Sequence, residues 1–129
     1  MRLNHDCIRD FLLEIEESLG VNEHLFLGEI LKMKCVEKYG EDDVIYTILK
    51  LKEANFINCN IQYASNEIYM IIVSSITYEG HLFLDNVRDH KVWTKTKEIT
   101  SKVSSASLST VSAIASETLK SFIQGQLSL

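Results

Sequence analysis

The apolar spacing of this chain changes period at Asn55, and that switch restricts the fold more than any short motif does. Before it, apolar residues recur at helical intervals. Ile8, Phe11, Leu12, Ile15 and Leu19 fall at i, i+3, i+4, i+7 and i+11, the stripe of an amphipathic helix that Asn4 or Asp6 can cap and Gly20 can stop. Glu14, Glu16 and Glu17 then read as its solvated face. Val21 to Leu27 reads as a connection ending in the short apolar run Leu25-Phe26-Leu27. Glu29 to Tyr39 has helical character, with Ile30, Leu31 and Val36 available to the core, and Gly40 can close it in the left-handed conformation. Glu41, Asp42 and Asp43 sit where a third helix begins, and carboxylates interact favourably with the free N–H groups and dipole there. That helix runs to about Ala54 on a stripe of Val44, Ile45, Ile48 and Leu49, with Leu51 at the margin.

Past the switch, Phe56, Ile57, Ile61 and Tyr63 lead into a polar turn, Ala64-Ser65-Asn66-Glu67, and then into the apolar run Ile68 to Val73. This is the pattern of a β-hairpin. Its second strand is apolar on both faces, so one face should rest on the helices and the other be covered by the chain that follows. Ile76 ends the strand, and Thr77 can cap a further helix through Gly80, Leu82, Phe83, Leu84 and Val87. Three helices, a hairpin and a helix follow the order of a winged-helix domain, so the expected fold is α+β: a winged-helix-like domain followed by C-terminal helices. The hairpin would be the wing, and Glu41 to Ala54 the helix that reads DNA in members that bind it.

Nine serines fall within residues 101–129, a density that often marks a linker. The apolar spacing contradicts that, because Leu108, Val111, Ala115, Leu119 and Phe122 recur at three or four residues and Ile114 and Ile123 widen the stripe. A terminal amphipathic helix is expected, capped by Ser104, Ser105 or Ser107. Residues 1–103 are therefore assigned to the winged-helix-like domain and 104–129 to a packing or oligomerisation element. Leu108, Val111, Ile114, Ala115, Leu119 and Phe122 are the candidate self-association residues.

Charge narrows the partners. Residues 1–80 hold seven Lys/Arg against fourteen Asp/Glu, whereas 81–129 hold six against four, and the whole chain carries −5. That charge repels a polyanion at long range. The third helix has carboxylates at the end where a reading helix approaches the bases, and the hairpin has no Lys or Arg, so DNA binding through the usual surface is disfavoured. Arg88, Lys91, Lys95, Lys97 and Lys102 form a modest basic stripe and are the candidate anion or nucleic-acid contacts. Trp93 among them reads as a packing anchor.

Nothing in the chain spells out catalysis. His81, Asp85 and Asp89 are spaced i, i+4, i+8 and could offer metal ligands from one helix face, but Asp85 can equally pair with Arg88, and His5, His24 and His90 show no matching spacing. Cys7, Cys35 and Cys59 are an odd set without CxxC spacing, and Cys7 and Cys59 lie in apolar surroundings that suit small buried side chains. No GxGxxG, Walker loop or GxSxG occurs. No metal, cofactor or catalytic residue is expected. No apolar run approaches the roughly twenty residues of a membrane span, and residues 1–20 lack the uninterrupted apolar segment of a signal peptide, so a cytoplasmic protein with reduced thiols and no membrane contact is expected.

Several segments carry a family resemblance. They are Leu3-Asn4-His5-Asp6-Cys7-Ile8-Arg9-Asp10; Tyr39-Gly40-Glu41-Asp42-Asp43-Val44-Ile45-Tyr46 with Leu51-Lys52-Glu53-Ala54-Asn55-Phe56-Ile57; and, most specific, Ile76-Thr77-Tyr78-Glu79-Gly80-His81-Leu82-Phe83-Leu84-Asp85-Asn86-Val87-Arg88-Asp89, followed by Val92-Trp93 and Lys95-Thr96-Lys97. The chain resembles, nearly end to end, small winged-helix-like proteins of Firmicutes phages and prophages that are known only as a domain of unknown function. Members favour Gly-Leu-Ile where this chain has Asn55-Phe56-Ile57. The resemblance implies a mobile-element origin, a bacterial host cytoplasm and no catalytic residues. By analogy of context, the first functional expectation is a non-catalytic, homo-oligomeric interaction protein that engages a host or phage protein, anti-defence roles included. A DNA-binding transcriptional regulator and an oligomer sequestering a small anionic, nucleotide-like ligand are the alternatives.

Overall fold

The computed structural model describes residues 1–127 and is α+β, with helices and a three-stranded antiparallel sheet. It separates into two compact units, Met1–His81 and Leu82–Leu129. In the first unit, helix α1 (His5–Ser18) starts at Asn4, whose side-chain oxygen accepts the Cys7 N–H at 3.1 Å. It ends at Ser18 with Leu19 as its C-cap, one turn-residue short of Gly20, because Leu19 is already extended. Its apolar stripe is buried as the spacing requires: Cys7, Ile8, Phe11, Leu12 and Ile15. At about 25 cal/mol per Å² of apolar surface, each of the larger side chains contributes about 1.5–3 kcal/mol.

The segment between α1 and the third expected helix is more divided than its pattern suggests. Leu25–Phe26 form a short strand, β1, and two helices follow, α2 (Leu27–Ile30) and α3 (Lys34–Tyr39), in place of one helix from Glu29. The Glu29 carboxylate accepts the Phe26 N–H at 3.2 Å at the start of α2. The reason for the break is burial. Ile30 and Cys35 are both in the core, yet on one continuous helix they would point roughly 140° apart. An extended Met33 (ψ 153) lets both turn inward. Gly40 has φ 90 and ψ 160, so it joins α3 to the next helix in an extended, positive-φ region that only glycine enters readily, not in the left-handed helical well.

Helix α4 (Glu41–Glu53) buries Val44, Thr47, Ile48 and Leu51, whereas Ile45 and Leu49 are half-buried. Leu51 is thus core and Leu49 marginal, a rotation of the expected stripe. Thr47 is accommodated because its hydroxyl donates to Cys7 Sγ at 3.4 Å. Strands β2 (Ile57–Ala64) and β3 (Glu67–Ile76) form the hairpin. Its two-residue loop, Ser65 (φ 53) and Asn66 (φ 67), has both residues left-handed, the conformation that matches the strand twist. Strand order is β1-β3-β2, so β1 covers one edge of β3 through Leu25 opposite Val73 and Phe26 opposite Ile72. The pairing of β2 with β3 shifts register at Asn58/Cys59 and at Gln62/Tyr63. Helix α1 packs on α3, α4 and β3, and Ile71, Val73 and Ile57 complete this core.

Helix α5 (Tyr78–Val87) contains the boundary between the units. Its start is tied to the turn between α4 and β2: Thr77 donates through its hydroxyl to the Asn55 carbonyl at 2.6 Å and accepts the Gly80 N–H at 3.0 Å. In the second unit, α6 (His90–Thr100) is capped by Asp89, whose carboxylate accepts the N–H groups of Lys91 and Val92. Helix α7 (Leu108–Leu127) begins at Ser107, whose hydroxyl accepts the Thr110 N–H at 3.1 Å. Helices α6 and α7 pack together, burying Val92, Trp93 and Thr96 on one and Val111, Ala115 and Thr118 on the other. The element order and sheet topology of residues 5–76 are compatible with a winged-helix arrangement.

Candidate functional site

The basic residues are exposed and divided among different environments. Arg88 follows α5 and pairs with Asp85 at 3.2 Å. On α6, Lys91 and Lys95 lie one turn apart on one face, and Lys95 pairs with Glu98 at 3.6 Å. Lys97 points roughly 200° away from Lys95 and lies over the Trp93 ring, 6.0 Å from its centroid. Trp93 itself is buried, an anchor for α6. Lys102 falls in the turn after α6. The five cations are thus neighbours in sequence that do not converge on one point.

His81, Asp85 and Asp89 are each engaged elsewhere. His81 Nδ1 is 3.6 Å from Glu16, Asp85 holds Arg88, and Asp89 caps α6. Among the described residues, no group of three His, Cys, Asp or Glu is placed to hold a metal ion. The acids of α1 are more than a solvated face. Glu14 caps α3 by accepting the Lys34 and Cys35 N–H groups at 2.8 and 3.0 Å, and Glu16 faces His81. Asp10 accepts from Lys38 at 3.1 Å and from the Tyr39 hydroxyl.

The thiols differ in exposure. Cys7 and Cys35 are buried and Cys59 is half-buried. Burial, and then the Glu14 charge, push the Cys35 thiol up to about 12. Burial raises Cys7 too. Burial pushes the Cys59 thiol up, and the positive charge of Lys52 pulls it partly back. None of the three is poised as a thiolate nucleophile.

The six candidate self-association residues lie on α7 but face two ways. Val111 and Ala115 are buried, Leu108, Ile114 and Leu119 are half-buried, and Phe122 is exposed. Thr118 is the last buried residue of α7, and the helix continues to Leu127 with Phe122, Ile123 and Leu127 exposed by 40%, 49% and 81%. Glu117 and Lys120, paired at 3.4 Å, are the only charges on α7.

A second surface has no counterpart among the residues expected from the pattern. Between α4 and β2 lies a groove of about 440 Å³ lined by Tyr46, Leu49, Lys50, Lys52, Glu53, Ile61 and Tyr63. Lys50 is held by Glu53 at 2.8 Å and lies over the Tyr46 ring. The signal for this groove was the alternation of Ile61 and Tyr63 with polar Asn60 and Gln62 along β2, which marks an apolar strand face not wholly used by the core.

A family model covers residues 2–107 of the chain, and its family is described as hypothetical protein (DUF2513). The chain belongs to that family. Helix α7 begins just beyond the match, at Leu108, so the DUF2513 region comprises the first unit, α5 and α6. No curated protein and no solved structure matches the chain. Among the described residues, no helix is long and apolar enough to cross a membrane.

Proposed function

We propose that this DUF2513 protein is a non-catalytic phage or prophage accessory protein that works by binding in the cytoplasm of a bacterial host. It self-associates through the end of α7 and engages host or phage machinery as an oligomer. One observation carries the reading: α7 extends past its last buried residue, Thr118, and the extension presents Phe122, Ile123 and Leu127 to solvent. A short helical extension without packing is marginal in water, and exposed apolar side chains at helical spacing supply the packing when a second copy covers them. The charges favour a copy as the partner. Glu117 and Lys120 cancel within one chain, so α7 carries no net charge to repel a second copy.

The test is light scattering on the full chain and on Phe122→Glu. The reading expects a defined oligomer for the first and, for the second, a monomer that loses no more far-UV helicity than the turns beyond Thr118 account for. A full chain that stays monomeric at all concentrations overturns it.

A DNA-binding regulator is the second reading. It is favoured by the winged-helix-compatible element order and opposed by Glu41, Asp42 and Asp43 in the first turn of α4. It requires a duplex affinity that falls steeply with salt.

A further inference from the structure

Strand β2 is the outer strand of the sheet, because the order β1-β3-β2 gives it a strand neighbour on one side only. In an antiparallel sheet such an edge turns alternate backbone N–H and C=O groups outward along its length, a template for another strand. The groove between α4 and β2 adjoins this edge and offers Tyr46, Leu49, Ile61 and Tyr63 on one face of it. Tyr63 is 59% exposed, and a rigid aromatic with a polar tip is the residue type most used at protein contacts.

We propose that the β2 edge and the adjoining groove bind an extended peptide segment of a partner protein, added as a fourth strand. Its alternate apolar side chains enter the groove, and a carboxylate on it meets Lys52. Charge selects that carboxylate. Lys50 is already neutralised by Glu53, whereas Lys52 forms no ion pair among the described residues and stands close enough to β2 for its charge to act on Cys59. A second copy suits this edge less well, because β2 itself carries no Asp or Glu to meet Lys52. At the register shifts Asn58/Cys59 and Gln62/Tyr63 the extra residues, Ser74 and Tyr69, lie in β3 and increase the local twist of the hairpin, which a flexible peptide follows more readily than a second folded copy. This surface is built from other residues than the α7 extension. It supplies the partner contact that an oligomer would multiply.

The probe is a fluorescein-labelled peptide of alternating Val and Thr, matched to the eight residues of β2 and carrying one central Asp. A second peptide carries Lys in place of that Asp. Fluorescence anisotropy with the full chain is expected to show saturable binding of the Asp peptide and about fivefold weaker binding of the Lys peptide, the size of a rim charge contact replaced by repulsion. Amide exchange followed by NMR is expected to slow at alternate β2 residues when the Asp peptide is added. The variant Lys52→Glu is expected to reverse the order of the two peptides, a result that misfolding cannot imitate. The proposal is overturned by absence of saturable binding, by protection that appears away from β2, or by an order of the two peptides that Lys52→Glu leaves unchanged.

Discussion

Glu14 on α1 accepts the backbone N–H of Cys35 at the start of α3, 3.0 Å away, while its other carboxylate oxygen accepts the N–H of Lys34 at 2.8 Å. One side chain thereby satisfies two donors that no turn of α3 can satisfy, and it places a negative charge at the positive end of a six-residue helix too short to persist alone. Glu14→Ala is expected to cost about 1–2 kcal/mol, and Glu14→Gln, which keeps an acceptor without the charge, about half of that. Thermal unfolding followed by circular dichroism checks the order. Equal melting temperatures for the three proteins would show that the cap contributes nothing.

Gly80 is fixed by a close approach rather than by its backbone angles. A Cβ built there would collide with the Phe56 carbonyl oxygen and lie 2.7 Å from Ile76 Cγ2, where α5 starts against the hairpin. A backbone oxygen tied to the Thr77 N–H cannot step aside as a flexible side chain would. Gly80→Ala is therefore expected to destabilise by about 2–3 kcal/mol. Gly125, in α7 with open space where a Cβ would go, makes the opposite case: Gly125→Ala should stabilise its helix by about 0.5–1 kcal/mol. Urea unfolding of the pair should give midpoints on opposite sides of the parent.

Asn55 holds φ 62 at the turn between α4 and β2, in the left-handed region. Asparagine and glycine are the residues that enter that region at least cost. Asn55→Gly should leave stability within a few tenths of a kcal/mol, whereas Asn55→Ala should lower it by about 1 kcal/mol. Denaturant midpoints distinguish the two, and identical losses would mean that the side chain, not the φ angle, matters.

The elements written in local periodicity were legible before any coordinates: the stripe of α1, the start of α4 at Glu41, the hairpin with its Ser65-Asn66 loop, the Thr77 cap and the terminal helix. What escaped depends on tertiary contacts. A two-residue strand such as β1 has no period to detect, and it exists only because Val73 and Ile72 are there to pair with it. Glu14 reads as a solvated acid until α3 is placed against α1, a partner 20 positions away. Among the candidate contacts, exposure of Phe122 followed from the sequence pattern only in part, because α6 stops covering α7 at a point no local rule specifies. The groove needs Tyr46 and Tyr63 to meet across α4 and β2, and its one local trace is the alternation along β2.

The three thiols should react in sequence. Cys59 is half-buried beside a lysine, and Cys7 and Cys35 are enclosed, so iodoacetamide under native conditions should modify Cys59 first and the other two only at the rate of opening. Peptide mass spectrometry over a time course reads this directly. Early labelling of Cys35 would mean that α3 leaves α1 far more often than its cap implies.

Cys35 also couples folding to pH. Its folded value, about 12, lies above the ordinary thiol value of 9.0, chiefly through burial and then through the Glu14 charge. The folded state therefore keeps a proton that the unfolded chain gives up first. Stability from this group is complete below pH 9 and falls as pH rises toward 12, with a limiting slope of about 1.4 kcal/mol per pH unit. Tyr39, raised to about 12 by burial and by its bond to Asp10, adds a loss of the same sign only above its ordinary value of 10.0. The interval between pH 9 and 10 therefore reports the thiols, and Cys7 and Cys59, also raised by burial, contribute there with the same sign. Cys35→Ala lowers stability at every pH by opening a small cavity, but it should make the decline across that interval shallower by the share that Cys35 contributes. Urea unfolding at closely spaced pH values decides the matter, because a parent and a variant with parallel curves would place the alkaline loss elsewhere in the chain.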